Sequence, residues 1–261
     1  INILMISISP FNFFSLLKMI FLRKRIKGYV YLRSDGFLEY KFRYGKLGYY
    51  IYFLMFNIIK KKLKILSCSN NFTNVKVNKI LHPSELDWRW FKKRQNIKKF
   101  KTDFLYIGRF TKDKGSIFIT KIFKEHLRNY DLTFAGTKKK SVEKKYYSKN
   151  IKFIGPISSI QKLINLYDSS KIFILPSFIE GFPKVISESL SRLRPVIIFE
   201  DIKYVVHGRK GIFVCKRDER SLEKTINHIL KNYKIIQKEI KKNYFYTKNN
   251  FMRELLNSIK I

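Results

Sequence analysis

The sequence predicts an α/β protein built on a parallel, doubly wound sheet, because short apolar runs alternate with helix-like stretches. From Phe104 onward the runs fall near 104–108, 130–135, 151–154, 171–175, 195–199 and 211–215. A second observation concerns the residues just past these runs. Gly108-Arg109, Gly136 and a loop around Glu180 all come directly after strand ends, where ligands bind in such sheets. Third, 261 residues at 45% hydrophobic content suffice for one or two domains with a sizeable core.

Taken in order, Ile3–Ser7 reads as a strand and a helix opens at Pro10. Proline suits a first helical turn, where its missing N–H costs nothing. The apolar stretch 1–22 is not read as a membrane span: Pro10, Asn12, Lys18 and several serines interrupt it, and a span needs about 20 apolar residues. Gly28–Leu32 reads as a strand ending at Arg33-Ser34-Asp35-Gly36. Phe37–Phe56 is expected to be helical in part, with breaks near Gly45 and Gly48. The run Tyr49–Ile59 is about half the length a span requires. Ile65–Ser69 and Lys79–Leu81 read as further strands. A basic stretch, Lys92–Lys101, comes next as a linker. Ser221–Ile261 reads as helical. No internal repeat is visible and no signal-peptide cleavage pattern stands out.

Net charge is +36. The abundance of Lys, Ile, Asn, Phe and Tyr points to an AT-rich coding sequence as the main source of this charge. Whatever its origin, it attracts polyanions, either nucleic acid or an anionic membrane face. No nucleic-acid-binding module is recognisable, so a basic nucleic-acid-binding protein stays a lesser alternative that rests on charge alone. Cys68 and Cys215 are far apart and give neither a disulfide framework nor metal spacing, which fits a reducing cytoplasmic setting. Four scattered histidines argue against a zinc site. His126 and His228 read as ordinary helix residues, His207 as a loop residue, and Trp88 and Trp90 as packing residues.

The most informative segment is Leu175–Leu190, where a buried-type strand runs into Glu180-Gly181-Phe182-Pro183 and a helix opens. Strand, glycine loop and helix N-terminus let phosphate or sugar oxygens meet backbone N–H groups. Glu188 lies eight positions after Glu180, inside the new helix. Two glutamates near a helix are, by themselves, solvated charges. In this loop they supply acceptors for hydroxyl groups, which points to a sugar carried on a nucleotide.

Glu180-x7-Glu188 with Gly181-Phe182-Pro183 resembles the signature of the family 4 (group 1) glycosyltransferases of GT-B fold. Phe104–Phe110 followed by Lys112-Asp113-Lys114-Gly115 is similar to that family's first donor-domain strand and basic loop. Phe153-Ile154-Gly155 and His207-Gly208…Gly211 fall in the expected order. His82–Asp87 resembles the turn that closes the family's first domain. The resemblance is good over roughly 80–230 and weak elsewhere.

The resemblance implies specific roles. Arg109 and Lys114 would hold the donor diphosphate and make a metal ion unnecessary. Glu180 would face the transferred sugar. Glu188 would accept hydrogen bonds from the ribose hydroxyls. Backbone N–H groups around Gly181 to Lys184, with Phe182 between them and Pro183 at the first helical position where its missing N–H costs nothing, would meet sugar or phosphate oxygens. Gly108 and Gly136 would admit the ligand backbone-close, Gly136 being equally readable as a simple turn. Ile154 and Gly155 would hold the base by main-chain contacts. The domains expected are a partial acceptor-side domain over 1–95, a linker over 96–102, a donor-binding domain over 103–240 and a terminal helical segment over 241–261 that packs back on the first domain.

The acceptor half departs from the family pattern. Its glycine-rich first strand–loop is absent, and Arg33 or Asp35 stands where relatives carry a His, so the first half is expected to be truncated. The lack of an initiating Met reads either as an N-terminally incomplete product or as an unusual start. The resulting expectation is a cytoplasmic, membrane-peripheral transferase using a UDP-sugar or GDP-sugar, with no cofactor or metal, acting on a glycan or lipid-linked acceptor. The alternative from another class is a nucleotide-sugar-binding remnant without turnover.

Overall fold

In the computed structural model, which describes residues 2–22, 26–72, 77–94 and 100–259, every described strand pairing is parallel. The chain divides into two units: Ile1–Glu85 with Ile179–Phe182 and Tyr246–Ile261, and Leu86–Phe178 with Pro183–Phe245.

The first unit carries strands β1 (Asn2–Ile6), β2 (Lys27–Leu32), β3 (Lys64–Ser67) and β4 (Lys79–Ile80), ordered β1-β2-β3-β4. Helix α1 (Pro10–Phe21) starts where Ser9 accepts a hydrogen bond from the Asn12 N–H, with proline in the first turn. Helix α2 (Gly36–Lys60) is capped by Asp35, whose side chain accepts from the Leu38 N–H. Such caps satisfy donors that the first turn leaves without partners. One apolar cluster joins Phe13 and Leu16 of α1, Tyr52, Met55, Phe56 and Ile59 of α2, and Val30, Leu32 and Ile65 of the sheet.

The expected break in α2 occurs at Gly45, where φ is 66° and ψ −153°. The one expected at Gly48 does not. Gly48 is helical and buried, and a Cβ there would come within 2.3 Å of the Tyr40 carbonyl oxygen, so this glycine permits a close approach within the helix.

Tyr246 and the last helix (Lys248–Ser258) belong to this unit. The Ser84 hydroxyl donates to the Tyr246 carbonyl at 2.6 Å, and the rings of Tyr31 and Phe251 lie 6.1 Å apart.

The second unit is a six-stranded sheet. Its strands are β5 (Thr102–Ile107), β6 (Leu132–Ala135), β7 (Ile151–Ile154), β8 (Ser170–Leu175), β9 (Val196–Phe199) and β10 (Ile212–Cys215), ordered β10-β9-β8-β5-β6-β7. Interleaved are α3 (Ser116–Glu125), α4 (Ile160–Asp168), α5 (Lys184–Ser191), α6 (Glu219–Lys231) and α7 (Tyr233–Ile240), while α8 is Lys248–Ser258. All of β6 and β9 is buried, as expected of strands covered on both faces. The order reverses between β5 and β8, which makes their carboxyl ends the topological switch point.

Of the two tryptophans read as packing residues, Trp90 is buried but Trp88 is 62% exposed, with the Lys92 ammonium 3.9 Å from its ring centroid. A cation over the indole face satisfies such a ring without burial. Residues 95–99, most of the expected linker, lie outside the described residues, and Thr102 already opens β5. No described helix is long and apolar enough to cross a membrane.

Candidate donor-site residues

At the carboxyl edge of the second sheet three glycines stand in a row, one after each of β5, β6 and β7. The Gly108 N–H donates to the Ala135 carbonyl at 2.9 Å, and the Gly136 N–H donates to the Gly155 carbonyl at 3.2 Å. Gly136 has φ 96°, and a Cβ there would lie 3.0 Å from the Gly108 carbonyl oxygen. Ile154, the last residue of β7, precedes Gly155 directly. The sheet edge is thus lined by bare backbone, which gives a flat ligand close access to main-chain groups.

The loop after β5 carries both candidate cations, Arg109 and Lys114, with Lys112 between them. Arg109 is 66% exposed and lies 3.8 Å from the Asp113 carboxylate, an exposed pair that adds little stability. Lys114 is half-buried and precedes Gly115, the residue before α3. Gly115 has φ 64°, and a Cβ would sit 1.8 Å from the Pro176 carbonyl oxygen. Only glycine fits where the loop after β8 comes this close. The same two loops are joined by the Phe178 N–H, which donates to the Asp113 carbonyl at 3.0 Å. Both loops open at the switch point.

After β8 the helix starts at Lys184 with Pro183 as its cap residue, one position later than the sequence reading. Glu188 is 8% exposed. The Tyr167 hydroxyl donates to its Oε2 at 2.9 Å. Burial, then the neighbouring Glu188 charge, pushes the Tyr167 phenol well above its ordinary range, so it stays a donor. Each carboxylate oxygen has two acceptor sites, so this bond orients Glu188 without exhausting it.

Glu180, Gly181 and Phe182 group with the first unit. A Cβ on Gly181 would come within 1.8 Å of the Arg33 carbonyl oxygen, and the Phe182 ring lies 4.8 Å from that of His82. The first unit therefore brings Glu180-Gly181-Phe182 to the end of β2. The second unit brings Gly108, Arg109, Lys114, Gly136, Ile154, Gly155, Pro183, Lys184 and Glu188 to the carboxyl edge of its own sheet or to the helix beyond it.

Three residues were not singled out by sequence. Tyr167 belongs to no motif of the sequence. Arg217 holds the loop after β8: it donates to the Pro176 carbonyl at 2.9 Å and the Ser177 carbonyl at 3.1 Å. It also pairs with Asp201 at 2.7 Å and stacks 3.8 Å over Phe178. Arg209 donates to the Ser187 hydroxyl on α5 at 3.0 Å, and burial pushes its guanidinium down to about 10. The basic composition hid both arginines among many. Among the described residues no group of three or more His, Cys, Asp or Glu is placed to hold a metal ion.

The family model described as glycosyl transferases group 1 matches residues 101–232, and the chain belongs to this family. Its fold is of the GT-B glycosyltransferase class. The capsular polysaccharide biosynthesis glycosyltransferase CapH of Staphylococcus aureus is 31% identical over 107 residues, covering 36% of this chain and 29% of CapH. An S. aureus TarM variant, solved in complex with Fondaparinux, alpha-GlcNAc-glycerol and UDP, superposes with TM-score 0.66 at 16% identity. The match covers 99% of this chain and 55% of TarM. HepE of Anabaena, solved with UDP and glucose, superposes with TM-score 0.72 at 13% identity over 98% of this chain and 77% of HepE. The chain thus spans about a third of CapH and just over half of TarM.

Proposed function

We propose that this chain transfers a sugar from a nucleotide-diphosphate donor, a UDP-sugar or GDP-sugar, to a glycan or lipid-linked acceptor of surface-polysaccharide type. The observation that carries the reading is the switch-point edge. A row of three glycines, two loop cations and a helix start around one sheet edge suit a nucleotide diphosphate better than a neutral ligand. In transfer the bond from the anomeric carbon to the diphosphate oxygen breaks and the acceptor hydroxyl oxygen takes its place. Negative charge grows on the leaving group, and preorganised cations and N–H dipoles there lower the barrier. Arg109 and Lys114 are assigned that task, which removes the need for a metal.

Glu188, oriented by Tyr167, is assigned the ribose hydroxyls, and Ile154 with Gly155 the base. The backbone N–H groups of Gly181, Phe182 and Lys184, the last following the cap residue Pro183, are assigned the sugar and phosphate oxygens, and Glu180 the transferred sugar. Attack on the face the diphosphate leaves, with that group taking the acceptor proton, retains the anomeric configuration. The reading places the enzyme on the cytoplasmic membrane face, which the charge of +36 favours. The complexes of TarM and HepE with UDP and the capsular role of CapH support the donor and acceptor classes.

One observation favours the second reading, a donor-binding remnant. Asp35, a candidate to replace the acceptor-side His of relatives, is committed to capping α2. Transfer of label from donor to acceptor, measured beside donor binding, separates the two readings. The primary test is a thermal-shift titration with UDP, GDP and ADP in EDTA, on this chain and on Glu188→Ala. At about 100 times its dissociation constant a nucleotide stabilises by about 2.7 kcal/mol. One nucleotide should do so, and the substitution should abolish the effect. A folded chain that no nucleotide stabilises would end the donor-site reading.

A further inference from the structure

In the first unit, helix α2 is apolar on both sides. Past Gly45 its buried side is Gly48, Tyr52, Met55, Phe56 and Ile59. Its outward side is Leu47, Tyr50, Ile51, Leu54 and Ile58, all exposed, with Leu47 at 70% and Leu54 at 62%. These five recur at spacings of three and four, so they form one stripe. A helix apolar all round is expected to be covered on all sides.

Helix α1 repeats the pattern. Phe11, Phe14 and Phe21 are exposed, Phe11 at 80% and Phe21 at 86%, again on one face. Strand order β1-β2-β3 with right-handed crossovers carries both helices on one side of the sheet, and both contribute to a single core cluster there. Their outward faces therefore look the same way.

Where α2 ends, a cavity of about 600 Å³ is lined by Lys27, Lys60, Lys61, Lys62 and Lys64, together with Ile26, Gly28, Tyr29 and Leu63. It sits at the amino ends of β2 and β3 and at the C-terminus of α2. This is the opposite edge from the carboxyl ends where the sheet's ligand crevice opens. Among the described residues no acidic side chain lines it. Residues 1–64 contain two acidic residues, Asp35 and Glu39, against thirteen lysines and arginines. Asp35 and Glu39 stand at the opposite end of α2.

We propose that α1 and α2 form the surface by which this chain docks on an anionic phospholipid bilayer, with lipid phosphates held in the lysine cavity and the aromatic and aliphatic stripe entering the headgroup boundary. A large apolar stripe bordered by lysines is the chemistry of a helix lying in an interface, and tyrosines suit that depth. A second copy of the chain is the poorer occupant, because two such faces would bring their lysines together. This inference deepens the membrane-peripheral part of the proposed function and is independent of whether the chain turns over substrate.

The test is flotation of the full chain with vesicles of phosphatidylcholine alone or mixed with phosphatidylglycerol. The chain should float only with the mixed vesicles. Replacing Lys60, Lys61 and Lys62 by Gln should weaken binding by about fivefold per charge removed. Leu47→Asp with Leu54→Asp should weaken it by about tenfold or more, at unchanged melting temperature, since neither side chain is buried. Flotation of the Asp variant equal to the unchanged chain would overturn the proposal. So would a dimer in solution that the Asp variant makes monomeric, or oligonucleotide binding lost in step with vesicle binding in both variants. UDP stabilisation, measured on the same samples, keeps the two readings apart: failure to float with stabilisation intact overturns only the docking surface.

Discussion

Tyr167→Phe removes one oxygen atom from the middle of the second unit and should have two separable effects. The ring is fully buried and packs edge-on to Trp90 at 5.8 Å and against Phe173 at 5.7 Å. Phenylalanine keeps those contacts, so apolar burial is unchanged. The loss is the hydroxyl's bond to Glu188 Oε2 at 2.9 Å. A hydrogen bond to a charged group contributes about 1.5–3 kcal/mol, and a domain this size melts about 2–4 °C lower per kcal/mol. The variant should melt roughly 3–12 °C lower, toward the smaller end if water at the 8% exposed carboxylate replaces the lost donor. Its second effect is on ligand binding: Glu188, no longer held, should bind the stabilising nucleotide about tenfold less well. Combining Tyr167→Phe with Glu188→Ala should add nothing to the nucleotide loss of Glu188→Ala alone, the signature of two residues acting as a unit. Calorimetry and nucleotide titration on the four proteins measure both. A variant that melts within a degree of the parent and binds nucleotide equally would refute the assignment of Tyr167 as the residue that orients Glu188.

Gly115→Ala puts a methyl group 1.8 Å from the Pro176 carbonyl oxygen at φ 64°. The left-handed backbone alone costs about 1–2 kcal/mol, and the loops after β5 and β8 must separate, so both melting temperature and nucleotide affinity should fall. Parent-like values for both would show that the loops yield freely. A further outcome concerns alkaline pH. Burial pushes the Cys68 and Cys215 thiols up to about 12 and raises the phenols of Tyr31, Tyr52 and Tyr167. Unfolded, these groups ionise near their ordinary values of 9.0 and 10.0. Above that range the unfolded chain therefore holds fewer protons than the folded one, and stability, complete below it, is lost as pH rises. Arg209, pushed down to about 10, and Arg94, also lowered by burial, act in the opposite direction and are outnumbered by the buried thiols and phenols. Melting curves across the alkaline range should show the loss, and a flat profile would contradict it.

The second sheet was legible because strands buried on both faces read as unbroken apolar runs, and because glycines after strand ends mark where a ligand meets backbone. Gly108 and Gly136 were read by that logic as following strand ends, and both do; Gly155 was read from the family resemblance. Glu180-Gly181-Phe182 grouping with the first unit was not legible, because the approach of Gly181 to the Arg33 carbonyl joins positions far apart in sequence. Gly45 and Gly48 look alike in the chain. One breaks the helix and the other lets Tyr40 and Tyr44 crowd it, and tertiary packing decides which. Arg192 is a further case. It is buried between the Asp168 carboxylate at 2.7 Å and the carbonyls of Trp90 and Lys92, a role no local pattern distinguishes from those of the other basic residues.

The placement of β5 has a consequence for synthesis. Its neighbours are β6, one helical crossover further along the chain, and β8, which pairs Ser170 with Thr102. As the chain leaves the ribosome, β5, β6 and β7 can associate first. One edge of β5 then stays open until β8 emerges, and open apolar edges are what neighbouring chains capture. Arg192 emerges later still, so the segment at Trp90–Lys92 is locked last. A nascent chain stalled just after α4 would expose both an open edge of β5 and an Asp168 still without Arg192. That interval is where trigger-type chaperones should be found on this polypeptide, and where an early stop codon should give aggregate instead of a smaller domain.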